Sequence, residues 1–234
     1  MSACRAKTRS NIKLVEADGR VTDINGQGPE VDEAARSALL RCLAQVAPGH
    51  DAVVVAGSLP RGISADWFRQ LLEQLKAQGL KVALDSSGEA LRAGLQSSPW
   101  LVKPNTEELG EVLGLAVDNP AQQRAAAERL LASGVEHVVV SAGEQGVSWF
   151  TRGHAVHACP PKVQVASTVG AGDSLVAGMV HGLLQGEAPA QTLTRATAIA
   201  AQAVTQVGFG IRDREQLARL EAAVQLTEQK EGCR

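Results

Sequence analysis

The sequence lacks several features that would place it in a common functional class. Its formal net charge is only -2 and its charges are interspersed, so it has no basic stripe of the kind that binds nucleic acid. No apolar run approaches the ~20 residues of a membrane span, and the polar N-terminus does not resemble a signal peptide. The four cysteines have no C-x-x-C spacing, which predicts reduced thiols without disulfides. We therefore expect a cytoplasmic protein with no nucleic-acid and no membrane partner.

Several catalytic signatures are also missing. The chain has no Gly-Lys-Ser/Thr Walker motif, no dinucleotide fingerprint near its first strand and no evident Ser-His-Asp set, which argues against a P-loop enzyme, a Rossmann oxidoreductase and a serine hydrolase. His154, His157 and Cys159 are close in sequence and raise the possibility of a metal site. On a strand, however, His154 and His157 point to opposite faces, so we expect a solvated strand there instead.

The chain does contain a repeating alternation of helical patterns and apolar strands. With 234 residues and 44% hydrophobic residues it can bury the core of one domain. "SADWFRQLLEQLKAQG" predicts a helix from the N-cap Ser64 to Gly79, and "LKVALDSS" predicts the buried strand that follows it. An N-terminal hairpin around Asp18-Gly19, two antiparallel strands in "GVSWF" and "HAVHACP", and three final helices ending in "REQLARLEAAVQL" complete the pattern. This predicts a three-layer α/β/α sandwich with a mostly parallel sheet and a small β appendage.

Ligands of open parallel sheets bind beyond the carboxyl ends of the strands, so the turn "VGAGDS" is informative. If a helix begins near Asp173, the amides of Ala171, Gly172 and Asp173 point outward and form an anion site. Asp173 could then take a proton from a hydroxyl that attacks a phosphoryl group. The simpler alternative is a tight turn in which Asp173 caps the helix.

Three further turns have equally open interpretations. "SAGEQG" could pass under a nucleotide phosphate or could be the entrance to a hairpin. "KPNTEE" places Asn105 and Glu108 on one face of a helix start, where they could orient water around Mg²⁺ or form a capping box. "AGSLPRG" offers Ser58 at a strand end, or a plain turn.

Together these turns resemble the PfkB (ribokinase-like) family of sugar kinases. "STVGAGDSLVAGMVHGLL" is similar to the family's C-terminal signature, and "VVVAGSLPRG", "WLVKPNTEEL" and "VVVSAGEQG" match its other motifs in the right order. "TRSNIKL" and "LDSSGEAL" look most like the members that phosphorylate fructose 1-phosphate. The resemblance implies a ribokinase-like fold, ATP and Mg²⁺ as cofactors, a sugar phosphate as substrate and a homodimer formed through a β lid.

The resemblance also implies roles for individual residues. Asp173 corresponds to the catalytic base, in contact with the substrate, and Gly170, Ala171 and Gly172 to the anion hole for the transferred phosphate. The nucleotide side would comprise Ser141, Gly143, Glu144, Gly146, Gly172 and Asn105. The metal would be governed by Asn105 and Glu108, and the sugar phosphate would contact Arg9 and Ser58.

One departure from the family pattern leaves alternatives open. In the family, a segment with the first sheet strands, a sugar-binding acid and a "GGKGxN" signature precedes "TRxNxKL", and no such signature occurs here. We therefore expect residues 1–234 to form one N-terminally truncated kinase domain, in which residues 10–26 make a partial lid hairpin. The substrate could instead be tagatose 6-phosphate or fructose 6-phosphate, or the chain could be a non-catalytic remnant that binds nucleotide.

Overall fold

The computed structural model describes residues 9–16, 21–208 and 210–230 of the chain. Two separate sheets and eight helices make up this part. The strands are β1 (Asn11–Val15), β2 (Val21–Asn25), β3 (Ala52–Ala56), β4 (Lys81–Asp85), β5 (Leu101–Val102), β6 (His137–Ser141), β7 (Val147–Thr151), β8 (His154–Cys159) and β9 (Gln225–Lys230). The helices are α1 (Glu33–Val46), α2 (Ala65–Ala77), α3 (Gly88–Leu95), α4 (Thr106–Leu113), α5 (Pro120–Ala132), α6 (Ala171–Gln185), α7 (Pro189–Val204) and α8 (Arg214–Ala223), with a 3₁₀ turn at Gly143–Gln145.

The large sheet has seven strands in the order β3-β4-β5-β6-β7-β8-β9. The pairs from β3 to β6 are parallel, and the pairs from β6 to β9 are antiparallel. Strands β4 to β6 are buried apolar runs because helices cover both faces of this part of the sheet. The predicted α/β sandwich is confirmed, as are the antiparallel strands β7 and β8.

Side chains alternate between the two cores of the sandwich along each strand. In β4, Val82 and Leu84 pack with helices α2 to α5, whereas Ala83 packs on the opposite face with Met179 and Leu193 of α6 and α7. The predicted start of α2 is confirmed, because the side chain of Ser64 accepts a hydrogen bond from the Trp67 N–H at 3.2 Å. No helix in the described ranges is long and apolar enough to cross a membrane.

Helices α6 and α7 pack closely through small residues. A Cβ atom on Gly178 would lie 2.6 Å from Ala196 Cα, and one on Gly182 would lie 2.6 Å from Thr192 Oγ1. Only glycine at both positions allows this separation between α6 and α7. The N-terminal end of α6 lies at the carboxyl end of β4, where a Cβ atom on Gly172 would be 3.8 Å from Asp85 Oδ2.

The small sheet is the antiparallel pair β1 and β2, in which Asn11 pairs with Asn25 and Ile12 with Ile24. The two alternating runs therefore pair as the sequence predicts. The Asp18-Gly19 turn between them lies outside the described residues.

The C-terminus differs from the prediction. The last helix, expected to run through "VQL", ends at Ala223, and Val224 has extended backbone angles. The chain then forms β9, which pairs antiparallel with β8 from His154 to Cys159. The polar sequence of β9 carries little strand signal, because the backbone pairing offered by the edge of β8 determines the structure there.

Candidate active site

The carboxyl ends of β3, β4, β5 and β6 lie along one edge of the sheet. Strands β3, β5 and β6 lead into the turns "AGSLPRG", "KPNTEE" and "SAGEQG", and β4 leads into "LDSSGEAL". An isolated bridge between Asn105 and Ser141 extends the pairing beyond the strands. These turns therefore form one continuous edge. Three backbone hydrogen bonds connect it, from Gly57 N–H to Asp85 O (2.9 Å), from Lys103 N–H to Leu84 O (3.1 Å) and from Ser141 N–H to Pro104 O (3.1 Å).

The start of α6 presents backbone amides rather than a capped end. Gly170 occupies the N-cap with φ = 81° and provides no side-chain cap, so the interpretation of Asp173 as the helix cap is wrong. The helix begins at Ala171, two residues earlier than expected, because glycine accepts the left-handed conformation that turns the chain. The first helical hydrogen bond runs from Ser174 N–H to Gly170 O at 2.9 Å. The amides of Gly172 and Asp173 precede it and have no helical partner.

A buried ion pair lies directly against this helix start. Lys103 Nζ is 3.1 Å from Asp85 Oδ1, and the two side chains are only 7% and 16% exposed. A Cβ atom on Gly172 would lie 3.3 Å from Lys103 Nζ and 3.8 Å from Asp85 Oδ2. The ammonium group therefore lies against the first turn of α6 with its charge balanced by Asp85, and the carboxylate of Asp173 in the same turn is exposed.

Burial raises the pKa of Asp85, and the charge of Asp173 raises it further, whereas Lys103 lowers it by charge and by hydrogen bonding. Because the charge of Asp173 raises the pKa of Asp85, the two carboxylates are close enough to interact electrostatically. Since burial is the largest of these influences, Asp85 is stable as an anion only while Lys103 remains beside it.

Asn105 and Glu108 form a complete capping box at the start of α4. Asn105 Oδ1 accepts the Glu108 N–H at 2.8 Å, and Glu108 Oε2 accepts the Asn105 N–H at 2.8 Å. The prediction of a capping box at Asn105 and Glu108 is thus correct. The second carboxylate oxygen, Glu108 Oε1, has no hydrogen bond in the described part of the chain. One available carboxylate oxygen fits Mg²⁺, which commonly binds through one or two carboxylates together with water and substrate phosphates.

The turn after β6 connects antiparallel strands, as the hairpin interpretation requires. Ser141 ends β6, the 3₁₀ turn follows, and Ala142 N–H bonds Gly146 O at 2.8 Å. Gly146 has φ = 104°, and a Cβ atom there would lie 2.2 Å from Ala158 O. Glycine is therefore required at position 146, where β8 passes directly beneath the turn. Gly143 and Glu144 form the exposed outer part of the turn.

Arg9 and Ser58 are brought together from distant parts of the chain. Arg9 Nη1 donates to Ser58 Oγ at 3.1 Å, and Arg61 Nη2 donates to Gly28 O at 3.0 Å. The side chain of Arg9 packs against Gly28, where an added Cβ atom would lie 3.3 Å from Arg9 Cβ. Two guanidinium groups and a hydroxyl thus gather at the β3 end of the edge.

No metal site forms in the described residues from the three possible ligands on β8, which are His154, His157 and Cys159. The described residues contain no group of three or more potential ligands. His157 Nε2 lies 3.3 Å from Cys159 Sγ, and His154 is at the opposite end of β8. The expectation of a solvated strand is wrong, because β9 covers the outer edge of β8 and Ala155, Val156 and Ala158 are buried.

Sequence reasoning assigned no role to Lys103 and Asp85, although both lie in motifs quoted above. The available signal was a charged residue at the end of an otherwise apolar, buried strand, since an unpaired charge is rarely buried. Parallel pairing of β4 with β5 brings the two ends side by side.

Comparison with known proteins agrees with this arrangement. Residues 3–215 match the pfkB family carbohydrate kinase domain, and the chain belongs to this family. It is 46% identical over 220 residues to the 1-phosphofructokinase of Vibrio cholerae, covering 94% of this chain and 69% of that protein. The 1-phosphofructokinase of Escherichia coli is 44% identical over 222 residues, covering 95% and 71%. A crystal structure of phosphofructokinase-2 from Escherichia coli in complex with potassium is 30% identical, with a TM-score of 0.83 and coverage of 93% and 71%.

Proposed function

We propose that the protein transfers the γ-phosphate of ATP to fructose 1-phosphate, giving fructose 1,6-bisphosphate and ADP. The observation that carries the proposal is the identity of 46% and 44% to relatives named 1-phosphofructokinase, across nearly the whole chain. The geometry at the start of α6 provides the matching chemistry, with an exposed carboxylate next to unpaired amides and a buried ammonium group.

Asp173 is proposed as the catalytic base. Its carboxylate would accept the proton of the sugar's 6-hydroxyl as that oxygen attacks the γ-phosphorus and ADP leaves. Charge develops on the transferred phosphoryl oxygens, and the amides around Gly170, Ala171 and Gly172 would stabilise it. Lys103 Nζ, close to Gly172 and paired with Asp85, would add an N–H donor at the side of the same cradle.

The remaining turns supply binding groups. The nucleotide side would be formed by Ser141, Gly143, Glu144 and Gly146, with Asn105 joined to Ser141 through their backbone bridge. Glu108, through Oε1, would hold Mg²⁺ with Asn105 beside it. When bound, this ion supplies positive charge to the ATP phosphates.

The sugar phosphate would bind at the other end of the edge. The guanidinium of Arg9 presents paired N–H donors suited to a phosphate, and Ser58 Oγ is already within hydrogen-bond distance of it. The two cysteines in the described ranges, Cys42 and Cys159, are free thiols, which supports a cytoplasmic enzyme.

The test measures ADP release with fructose 1-phosphate as the acceptor. Asp173→Asn should lower kcat by roughly 10²- to 10⁴-fold, the usual contribution of a positioned base. Asp66→Asn is the matched control, because Asp66 is also an exposed acid in the first turn of a helix. Near-normal kcat in Asp173→Asn would refute the assigned role.

The acceptor itself is tested by comparing kcat/KM for three sugar phosphates. A specific observation favours fructose 6-phosphate as the second candidate, since a phosphofructokinase-2 structure from Escherichia coli in complex with fructose-6-phosphate is 27% identical, with a TM-score of 0.78. Tagatose 6-phosphate is the third acceptor to compare. ATP binding by calorimetry without turnover on any of them would instead support a protein that binds nucleotide without catalysis.

A homodimer through the β1–β2 hairpin is part of the same proposal. Ile12, Leu14 and Ile24 are 55%, 51% and 49% exposed, and the strand register places them on one face of the hairpin. Such an apolar face is suited to a second copy of the hairpin. Ile12→Asp should halve the mass in light scattering, and an unchanged mass would exclude this interface.

A further inference from the structure

Three separate segments meet at the β3 end of the site: the residues before β1, the link between β2 and α1, and the turn after β3. In the link, Gly26 N–H bonds Ser10 O at 3.0 Å, and Val31 N–H bonds Arg61 O at 2.8 Å. A Cβ atom on Gly26 would lie 2.8 Å from Ser10 O, and one on Gly62 would lie 2.3 Å from Val31 O. The link is therefore packed closely against both of the other segments.

These contacts fix the position of Arg61. Arg61 follows Pro60 in a tight turn that is closed by a hydrogen bond from Ile63 N–H to Pro60 O at 3.2 Å. Its carbonyl oxygen accepts the Val31 N–H, and its side chain donates from Nη2 to Gly28 O at 3.0 Å. Because the link holds both the backbone and the side chain of Arg61, the guanidinium group is oriented before any ligand binds.

Arg9 contacts the same glycine as Arg61. A Cβ atom on Gly28 would lie 3.3 Å from Arg9 Cβ and 3.8 Å from Arg9 Cδ. The guanidinium group of Arg9 donates from Nη1 to Ser58 Oγ at 3.1 Å, and Ser58 belongs to the same turn as Arg61. The side chains of Arg9 and Arg61 are thus neighbours, and both residues are exposed.

The charges of these two arginines are not balanced by nearby acids. In the described part of the chain, each guanidinium makes one hydrogen bond to a neutral oxygen, and neither forms an ion pair with a carboxylate. The link contains Glu30, which is exposed and pairs with neither arginine, and Asp32 accepts the Ala35 N–H as the cap of α1. Neighbouring like charges repel each other, and each guanidinium retains several unused N–H donors. An anion with several oxygens, such as a phosphate group, would relieve the repulsion and bond these donors.

We propose that Arg61 is a second ligand of the sugar's phosphate group, and that Arg9 and Arg61 together determine specificity for a phosphorylated sugar. The inference rests on the proposed function, which assigns the phosphate to Arg9 and Ser58. In fructose 1-phosphate the phosphate and the reacting 6-hydroxyl are at opposite ends of the sugar. With the 6-hydroxyl at Asp173, the phosphate must lie away from the start of α6, which is where the turn after β3 places Arg61.

The test is calorimetric titration of the full 234-residue chain with fructose 1-phosphate, which requires no turnover. Arg61→Met keeps the apolar stem but removes the donors, and it should weaken binding about 10- to 100-fold, the range for one lost hydrogen bond to a charged group. Arg61→Lys keeps the charge without the planar fork, so its affinity should lie between those of Arg61→Met and the wild type. Arg92→Met, at an exposed position in α3, is the matched control and should leave the affinity unchanged.

Salt dependence separates a contact with the phosphate from a structural role. Raising the ionic strength from about 0.01 M to about 0.15 M should weaken binding more in the wild type than in Arg61→Met, because the variant has lost one of the charges that are screened. A structural role through the bond to Gly28 would lower the affinity without changing this dependence. That result would contradict the proposal.

The outcomes also separate this inference from the proposed function. Unchanged affinity in a folded Arg61→Met variant overturns the role of Arg61 and leaves the phosphoryl transfer standing. A wild type that binds fructose 1-phosphate through Arg61 but releases no ADP contradicts the transfer and supports the role of Arg61. A wild type that does not bind fructose 1-phosphate overturns both. If Arg61→Met does not fold, Arg61→Gln retains an N–H donor for Gly28 O without the charge; it should still weaken binding about tenfold, and unchanged affinity would overturn the inference.

Discussion

Replacing Lys103 by methionine should destabilise the protein in a way that depends strongly on pH. The substitution keeps the length of the side chain but leaves the Asp85 carboxylate buried without its partner at 3.1 Å. Breaking one side of a buried pair typically costs about 3 to 5 kcal/mol. The fold can limit this cost by binding a proton at Asp85.

The cost of that proton can be worked out from the ordinary carboxyl pKa of 3.8. Each pH unit above this value costs about 1.36 kcal/mol, so the loss is at most about 4.4 kcal/mol at pH 7 and at most about 1.6 kcal/mol at pH 5. The sign follows because the folded-state pKa of Asp85 already lies above its unfolded value, and loss of Lys103, which lowers it, raises it further. Stability is therefore lost as the pH rises above 3.8, until the raised folded-state pKa is reached.

Urea unfolding of Lys103→Met at pH 5 and pH 7 measures both values. Lys162→Met makes the same chemical change at an exposed position and should stay within about 0.5 kcal/mol of the wild type. Adding Asp85→Asn to Lys103→Met removes the buried charge and should restore most of the stability at pH 7. The reasoning is refuted if the loss is equal at the two pH values, or if the double variant is no more stable than Lys103→Met.

Three further predictions follow from other parts of the structure. Gly178→Val should destabilise by about 1 to 3 kcal/mol because its side chain would overlap Ala196, whereas Ala177→Val on the exposed face of α6 should change the melting temperature little. Burial, followed by the charge of Lys81, lowers the pKa of His137 to about 4, so stability should fall as the pH drops from 6.5 towards 4, by at most about 2 kcal/mol at pH 5 given the partial exposure of the ring. Arg9→Ala should raise KM for the sugar phosphate about tenfold or more and leave KM for ATP unchanged.

Each of these has an outcome that contradicts it. An unaltered melting temperature in Gly178→Val would mean that α6 and α7 can move apart freely. A His137→Phe variant with the same acid sensitivity as the wild type would exclude His137 as its source. Equal changes in both KM values for Arg9→Ala would indicate a general structural effect rather than a contact with the sugar phosphate.

The strands and turns of the parallel half could be predicted because their signals are local. Apolar runs such as "LKVALD" have few alternatives to a buried strand, and N-cap Ser64 marks its helix directly. β9 could not be predicted, since its polar residues form a strand only because the edge of β8 is available for pairing. For the same reason β8 was expected to be solvated.

In the candidate site, too, local motifs could be predicted and contacts between distant segments could not. The turn motifs predicted Asp173 and Ser141 near the carboxyl ends of the strands, whereas Arg9 was assigned only through the family resemblance. The contact of Lys103 with Asp85 depends on the pairing of two strands that are separate in sequence, and no periodicity reveals it. The start of α6 at Ala171 also depends on the left-handed backbone of Gly170, which a motif cannot distinguish from a cap at Asp173.

The backbone hydrogen bonds that join Gly57, Lys103 and Ser141 to their neighbouring turns have a consequence for how the protein could move. These turns share the stiffness of the sheet, so in the proposed function they would bind both substrates on a rigid surface. Any closure over a bound sugar would then come from segments that these backbone hydrogen bonds do not connect. The exposed hairpin β1–β2 and the segment from 160 to 170 that leads into α6 meet this condition. Amide hydrogen exchange should therefore be slow in these turns and fast in the β1–β2 hairpin and in the segment from 160 to 170. Bound substrates should slow exchange mainly in the hairpin and in that segment.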